Sequence, residues 1–122
     1  MKKIIAASLL ILLSTTANAK RLHKERYYQE KNCTGVVEYR LPDKTRVDCL
    51  TDTHAWEHDF GNKWAEAIGQ SLHYARMTGK KAGIYLILEK KSDNRYYNRL
   101  MDNIEFYSLP IDVFPIRVYE GR

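Results

Sequence analysis

The sequence predicts an α/β fold in which helices pack on a mixed β-sheet. Three short segments rich in β-forming residues follow one another at residues 35–41, 45–50 and 54–60, which indicates a meander of three strands. Two segments with helical periodicity then alternate with two extended segments. The predicted order is therefore helix, three strands, helix, strand, helix, strand. Such an order implies a sheet with both parallel and antiparallel neighbours and with helices packed on it.

Residues 1–19 have the pattern of a secretory signal peptide. Two lysines precede a continuous apolar run at residues 4–13, and the small residues Ala17 and Ala19 have the spacing of a cleavage site. The run is short for a membrane span, and its lack of an amphipathic pattern disfavours the alternative of a buried N-terminal helix. We therefore predict a mature domain at residues 20–122, located in the periplasm or secreted, with no stable membrane anchor.

Composition limits the classes of function. The chain of 122 residues has a length typical of one domain. Its 20 Lys and Arg fall to 18 without the two N-terminal lysines, against 15 Asp and Glu, so the mature charge is mildly positive. This excess is compatible with an anionic partner. The chain has no glycine-rich phosphate loop, no dinucleotide fingerprint, no serine nucleophile elbow and no zinc-finger spacing.

The chain has two cysteines, Cys33 and Cys49. An exported protein meets an oxidising compartment, so a disulfide between them is expected. The alternative is a pair of buried thiols.

The first four elements are predicted from turn residues and β-forming residues. Residues 20–31 are polar and charged with few apolar anchors, and we predict that they form a helix. A Pro-Asp pair at residues 42–43 marks a turn, so the first two strands form a hairpin. Residues 54–60 supply the third strand.

The second helix has start and stop signals. Asn62 can cap its beginning and Gly79 can end it. Gly69 lies within it and predicts a close packing contact, since glycine otherwise weakens a helix. Apolar residues recur at helical spacing and predict the buried face, which comprises Trp64, Ala65, Ile68, Leu72 and Ala75.

The last three elements complete the sheet. Residues 82–88 are nearly all apolar, as expected for a central strand buried on both faces. Ser92 can cap a third helix, whose apolar stripe is Tyr97, Leu100, Met101 and Ile104. Pro115 confines the final segment, residues 111–119, to a sheet edge or splits it.

Two acids on neighbouring predicted strands are candidate metal ligands. Asp48 lies on the second strand and Glu57 on the third, where Glu57 shares a face with Asp59. Carboxylates from adjacent strands form an oxygen site suited to a hard cation such as Mg²⁺ or Mn²⁺. A carboxylate in mid-strand would be costly to bury without a partner. Asp48 can alternatively be an ordinary polar residue at a strand end.

A polar stripe follows on the second helix. Lys63, Gln70 and Tyr74 are separated by steps of seven and four, so they share one face. A lysine beside a metal site can stabilise charge that develops on a phosphate. The alternatives are a solvated lysine at a helix start and a polar seam against the sheet. Lys44 and Arg46 flank the hairpin and can contact phosphates or simply be surface residues.

These residues resemble the PD-(D/E)XK, or restriction-endonuclease-like, nuclease superfamily. The resemblance covers the element order over residues 21–119, and its motifs lie within residues 46–74. In that family acids from the second and third strands bind metal, and Asp48 and Glu57 match them. A further acid commonly comes from the first helix, and either Glu25 or Glu30 can match it.

The spacing from Gln70 to Tyr74 resembles the glutamine-tyrosine motif of the RecB-type branch, and Holliday-junction resolvases share the layout. One position departs from the pattern, because Asp59 stands where the family places its lysine. Lys63 is the nearest candidate to replace it. The resemblance implies an exported Mg²⁺-dependent nuclease that acts on nucleic acid, DNA foremost. The alternative is a non-catalytic module that binds nucleic acid or protein on the same fold.

Overall fold

The computed structural model describes residues 21–121 and has the predicted α/β class. The predicted signal peptide lies outside the described residues. The helices are α1 (Glu25–Asn32), α2 (Trp64–Thr78) and α3 (Asn94–Tyr107). The strands are β1 (Val36–Arg40), β2 (Arg46–Leu50), β3 (His54–Phe60), β4 (Lys81–Leu88) and β5 (Ile111–Arg117). Within this part of the chain, no helix combines the length and apolar character needed to cross a membrane.

The five strands form one mixed sheet in the order β1-β2-β3-β4-β5. The pairs β1–β2 and β2–β3 are antiparallel, and the pairs β3–β4 and β4–β5 are parallel. Helix α2 connects β3 to β4, and α3 connects β4 to β5. The predicted hairpin and mixed sheet are thus confirmed, and β5, which contains Pro115, lies at an edge.

The central strand β4 is buried on both faces, as its apolar sequence predicted. Ile84, Leu86 and Leu88 point to one face and belong to the main core under α2 and α3. Ile87 points to the other face and packs with Phe60 and with Tyr28 of α1. Tyr28 therefore packs α1 against the face of β3 and β4 that lies opposite the main core.

The two predicted N-caps are wrong. Asn62 lies in a 3₁₀ turn (Gly61–Lys63) that precedes α2, and its Oδ1 instead accepts a hydrogen bond from Arg21 at 3.1 Å. Ser92 lies in a second 3₁₀ turn before α3, whose start has no side-chain cap. Gly79 does end α2 as predicted, with φ of 69°, a left-handed conformation that favours glycine.

Four residues of the predicted buried face of α2 pack against the core as predicted: Trp64, Ile68, Leu72 and Ala75. Ala65 was wrong, since it is exposed, and the most buried residues of the helix are Ala67, Ser71 and Tyr74. Small side chains at two of these positions allow the helix to lie close to the sheet. Gly69 was wrongly expected at a close contact, since a Cβ added there would have no neighbour within 4 Å.

The predicted disulfide is confirmed. Cys33 and Cys49 are bonded, with their Cα atoms 5.6 Å apart. Cys33 directly follows α1, and Cys49 lies on β2 next to Asp48. The bond therefore joins α1 covalently to the strand that carries a candidate ligand.

Candidate functional site

A polar cavity of about 470 Å³ opens where α1, the β1–β2 hairpin, β3 and the first half of α2 meet. Six carboxylates line it: Glu25, Glu38, Asp48, Glu57, Asp59 and Glu66. The other polar or charged side chains around it are Gln29, Lys44, Thr45, Arg46, Lys63, Gln70 and Tyr74. The structure thus gathers into one cavity the candidate ligands, the helical stripe and the two cations of the hairpin.

Strand pairing brings Asp48 and Glu57 together. Cys49 pairs with Trp56 across the antiparallel β2–β3 ladder, so the preceding and following residues, Asp48 and Glu57, lie side by side. Asp48 Oδ2 accepts a hydrogen bond from the backbone N–H of His58 at 2.8 Å. Asp59, two residues beyond Glu57 on the same strand, faces the same cavity.

The three strand carboxyls are buried, and burial disfavours their charged forms. Burial raises the pKa of Asp48 to about 7, opposed by the hydrogen bonds from His58 and from Glu57. Burial also raises the pKa of Glu57 far above its ordinary value, and the charges of Asp48 and Asp59 add to the rise. Burial raises the pKa of Asp59 to about 7, with Glu25 adding to the effect and the Lys63 ammonium opposing it. Without a cation, the adjacent Asp48 and Glu57 carboxyls therefore retain a proton between them.

Gln70 connects the acids to α2. With its amide nitrogen turned to the strand, Gln70 donates to Glu57 Oε1 at 2.8 Å and to Asp59 Oδ2 at 3.3 Å. Glu57 is 4% exposed, and its second oxygen, Oε2, has no hydrogen-bond partner within residues 21–121. A buried carboxylate oxygen without a partner is costly. A cation bound beside it would remove that cost, so the donor chemistry fits Mg²⁺ or Mn²⁺.

The carboxylates are not preassembled as a complete protein cage. In the described chain, no three His, Cys, Asp or Glu side chains converge closely enough to hold a metal ion. The three expected ligands, Glu25, Asp48 and Glu57, therefore do not form a complete metal site by themselves. Mg²⁺ commonly binds through one or two carboxylates and completes its shell with water and substrate phosphate. The pair formed by Asp48 and Glu57 is consistent with that mode.

Helix α1 contributes Glu25 rather than Glu30. Glu25 lines the cavity, where burial raises its pKa, and it accepts a hydrogen bond from Gln29 at 3.1 Å. Glu30 instead pairs with Arg26 at 2.9 Å on the exposed side of the helix and does not line the cavity. Of the two candidate acids, Glu25 is therefore the one that lines the cavity.

Three cations line the cavity. Lys63 follows β3 in the turn before α2, where its charge acts on Asp59 and Glu25. Arg46 is exposed and lies 3.6 Å from Glu38, a weak surface pair. Lys44 adopts a left-handed conformation, with φ of 72°, in the hairpin turn. All three cations are exposed, and Lys63 is the one whose charge acts on a buried strand acid, Asp59.

Tyr74 forms an apolar wall of the site. It is 7% exposed and packs with Leu41, Val47 and Ala55. Burial raises its pKa, and the charges of Glu57 and Asp48 raise it further. The phenol is therefore neutral near the acids.

The two histidines of β3 lie on the opposite face of the sheet. His54 Nε2 bonds Asp112 at 2.6 Å, and the His58 ring stacks on Tyr85 with centroids 4.6 Å apart. Burial lowers the pKa of His58 to about 4, so this ring is neutral at physiological pH.

Four cavity residues were not predicted as site residues from the sequence: Gln29, Glu38, Thr45 and Glu66. Gln29 lies four residues after Glu25, and this spacing places both on one face of α1. Glu66 lies between Lys63 and Gln70 on the polar stripe of α2. Glu38 carried no such signal, because its φ of 57° departs from regular strand geometry.

Comparison with protein-family models, curated proteins and solved structures finds no match.

Proposed function

We propose that the mature domain is an exported nuclease that depends on a divalent cation and hydrolyses phosphodiester bonds, with DNA as the principal substrate. The observation that carries the proposal is the buried pair Asp48 and Glu57, in which one oxygen of Glu57 has no hydrogen-bond partner among residues 21–121. A restriction-endonuclease-like fold of the RecB-type branch is part of the same proposal. Its support is the order of elements and the positions of the two acids on β2 and β3.

The charge of the cavity explains why a cation is required. Six carboxylates and three cationic side chains line it, so a phosphate that enters alone meets a net negative wall. A divalent cation bound to Asp48 and Glu57 would displace their proton and neutralise the two carboxylates. Its open coordination positions would then bind phosphate oxygens that the metal-free acids repel.

Each neighbouring side chain has a role in this reaction. Bound Mg²⁺ supplies Lewis-acid activation of the scissile phosphate and of water. Lys63 places a positive charge beside the acids and would stabilise the negative charge that develops on the phosphate. Gln70 holds the Glu57 and Asp59 carboxyls in place through its two hydrogen bonds. Lys44 and Arg46 would contact backbone phosphates outside the reacting centre.

The two cysteines support export. Their bond is expected for a protein that folds in an oxidising compartment. Export and the periplasmic or secreted location remain part of the proposal, together with cleavage before Lys20. Mass spectrometry of the protein from its native host should give Lys20 as the first residue, and a full-length cytoplasmic form would contradict this part.

The second candidate is a non-catalytic module on the same fold that binds nucleic acid or protein. Asp59 is the observation that favours it, because an acid occupies the position of the family lysine. The two candidates differ in product formation, since both can bind DNA.

A cleavage assay distinguishes them. The mature domain is incubated with plasmid, linear duplex, single-stranded DNA and RNA, in Mg²⁺, in Mn²⁺ and in EDTA. We expect cleavage of DNA with either metal and none in EDTA. Asp48→Asn, prepared in parallel, is the control for a contaminating nuclease. Binding without cleavage under every condition would favour the second candidate.

A further inference from the structure

Gln29 is a buried glutamine that the proposed mechanism does not use. It lies on the second turn of α1, is 3% exposed and lines the acidic cavity. Its Nε2 donates a hydrogen bond to Glu25 Oε1 at 3.1 Å. Its Oε1 is buried and has no hydrogen-bond partner within residues 21–121.

The orientation of this amide follows from its neighbour. An amide oxygen turned toward the Glu25 carboxylate would place two acceptors against each other, whereas the nitrogen can donate. The contact with Glu25 thus fixes the nitrogen on that side and leaves the oxygen on the other. Gln29 therefore presents a neutral acceptor that the described protein does not satisfy.

Two buried oxygens of the site share this condition. Gln29 Oε1 and Glu57 Oε2 both lack a partner within the described chain, and both residues line the same cavity. When Glu57 is ionised, these two buried acceptors cannot satisfy each other, so each requires a donor or a cation. A water molecule bound to Gln29 would satisfy its oxygen with no role in function. A cation bound to both oxygens would satisfy them together.

We propose that Gln29 supplies a neutral oxygen ligand to the divalent cation held by Asp48 and Glu57, an inference that rests on the proposed function. Two carboxylates leave most of the oxygen positions of Mg²⁺ or Mn²⁺ unfilled. A carbonyl oxygen fills one of them without adding to the charge of the six carboxyl groups that line the cavity among the described residues. Helix α1 and the sheet then both supply ligands to the metal site.

The position of α1 is fixed well enough for this role. The disulfide attaches the residue after α1 to β2, next to Asp48. Tyr28 packs its ring edge-on to Phe60, with centroids 6.1 Å apart, and so holds the preceding turn against β3 and β4. Gln29 lies between these two attachments.

The test compares Mn²⁺ affinity with stability. Free Mn²⁺ is measured by electron paramagnetic resonance in titrations of wild type, Gln29→Met, Gln29→Glu and Asn32→Ala. Methionine keeps the length of the side chain but removes the amide, and glutamate restores an oxygen. Asn32 lies one turn further along α1, donates to Tyr28 O at 2.8 Å and does not line the acidic cavity. Thermal unfolding in EDTA records the structural cost of each change.

We expect Gln29→Met to weaken Mn²⁺ binding at least about tenfold, the loss typical of a residue in or next to a metal shell. Gln29→Glu should bind Mn²⁺ at least as tightly as wild type, although it unfolds at a lower temperature in EDTA. Asn32→Ala should change stability alone. Wild-type affinity in Gln29→Met would overturn the inference and assign Gln29 to water or packing. If Gln29→Met does not fold, a loss of affinity in Gln29→Glu equally overturns it. Absence of Mn²⁺ binding by wild type would instead refute the metal site itself.

Discussion

Cys33 is bonded to Cys49, and this disulfide fixes the end of α1 to the strand that carries Asp48. The helix supplies Glu25 and Gln29 to the cavity, and the strand supplies a buried acid. The two walls of the candidate site are therefore covalently joined.

Reduction should destabilise the domain and loosen the site. The bond closes a loop between positions 16 residues apart, which corresponds to about 3 kcal/mol in the chain-entropy model. Urea unfolding followed by circular dichroism, with and without dithiothreitol, measures the loss. The Cys33→Ala/Cys49→Ala variant is the control, since its midpoint should not respond to the reductant. A wild-type midpoint that is equally insensitive would contradict a stabilising bond.

Removal of Lys63 should lower the rate of cleavage more than the affinity for DNA. Its ammonium lies among the acids and is proposed to act on the transition state, so Lys63→Ala should reduce kcat at least about tenfold, or roughly 1.4 kcal/mol. Lys63→Arg should restore part of the rate, because the guanidinium differs in shape from a point charge. Lys44→Ala should mainly weaken binding. Cleavage at the wild-type rate by Lys63→Ala would keep the nuclease but exclude this lysine from its mechanism.

The metal-free domain should lose stability as pH rises from about 6.5 to 8. The pKa of Asp48 and that of Asp59 are raised from 3.8 to about 7 in the folded state. The folded state therefore binds more protons than the unfolded state in this range, and the free energy of unfolding falls with pH. His58 has the opposite effect, because its pKa is lowered from 6.5 to about 4, but that effect ends above about pH 6.5.

Thermal unfolding in EDTA across this pH range measures the slope. Mg²⁺ in excess should flatten or reverse it, because the cation takes the place of the retained protons and binds only the folded state. The Asp48→Asn/Asp59→Asn variant should have a smaller slope in EDTA. A stability that rises throughout this range in wild type would show that these carboxyls are charged without a metal.

Two glycine substitutions should have opposite effects on stability. A Cβ at Gly83 of β4 would lie 2.3 Å from the ring of Trp56, so Gly83→Ala should lose about 1–3 kcal/mol through overpacking. A Cβ at Gly69 of α2 would have no neighbour within 4 Å among the described residues. Gly69→Ala should therefore gain up to about 1 kcal/mol of stability from helix propensity. Urea unfolding of both variants measures the difference. Equal effects of the two changes would mean that Trp56 moves away freely.

The sequence predicted the sheet because the strands carry strong local signals. The apolar sequence of β4 predicts a central strand, and the Pro-Asp turn predicts the hairpin. Pro115 restricts β5 to an edge of the sheet. The helix starts were predicted less well. Asn62 and Ser92 have suitable side chains, but each lies in a 3₁₀ turn that precedes the helix proper. Such a turn depends on how the chain leaves the sheet, and no single residue encodes it.

The candidate site was predictable where periodicity determines it. The spacing of two along β3 and of seven and four along α2 correctly placed Glu57, Asp59, Lys63 and Gln70 around one cavity. The choice between Glu25 and Glu30 was not predictable, because the sequence does not reveal which face of α1 meets the sheet. Gln70 was expected near the metal site, but its amide contacts with Glu57 and Asp59 were not predicted. Side-chain contacts of this kind depend on the distance between elements.

The affinity of the domain for Mn²⁺ tests the central claim that Asp48 and Glu57 share one divalent cation. Isothermal titration calorimetry is applied to wild type, Asp48→Asn, Glu57→Gln and, as a control, Asp102→Asn, which alters an exposed acid of α3 outside the cavity. Each site variant keeps the shape of the side chain and removes one charged ligand. We predict one Mn²⁺ per wild-type domain, wild-type affinity in the control and no measurable binding in either site variant that remains folded. Unchanged affinity in both Asp48→Asn and Glu57→Gln would contradict the account.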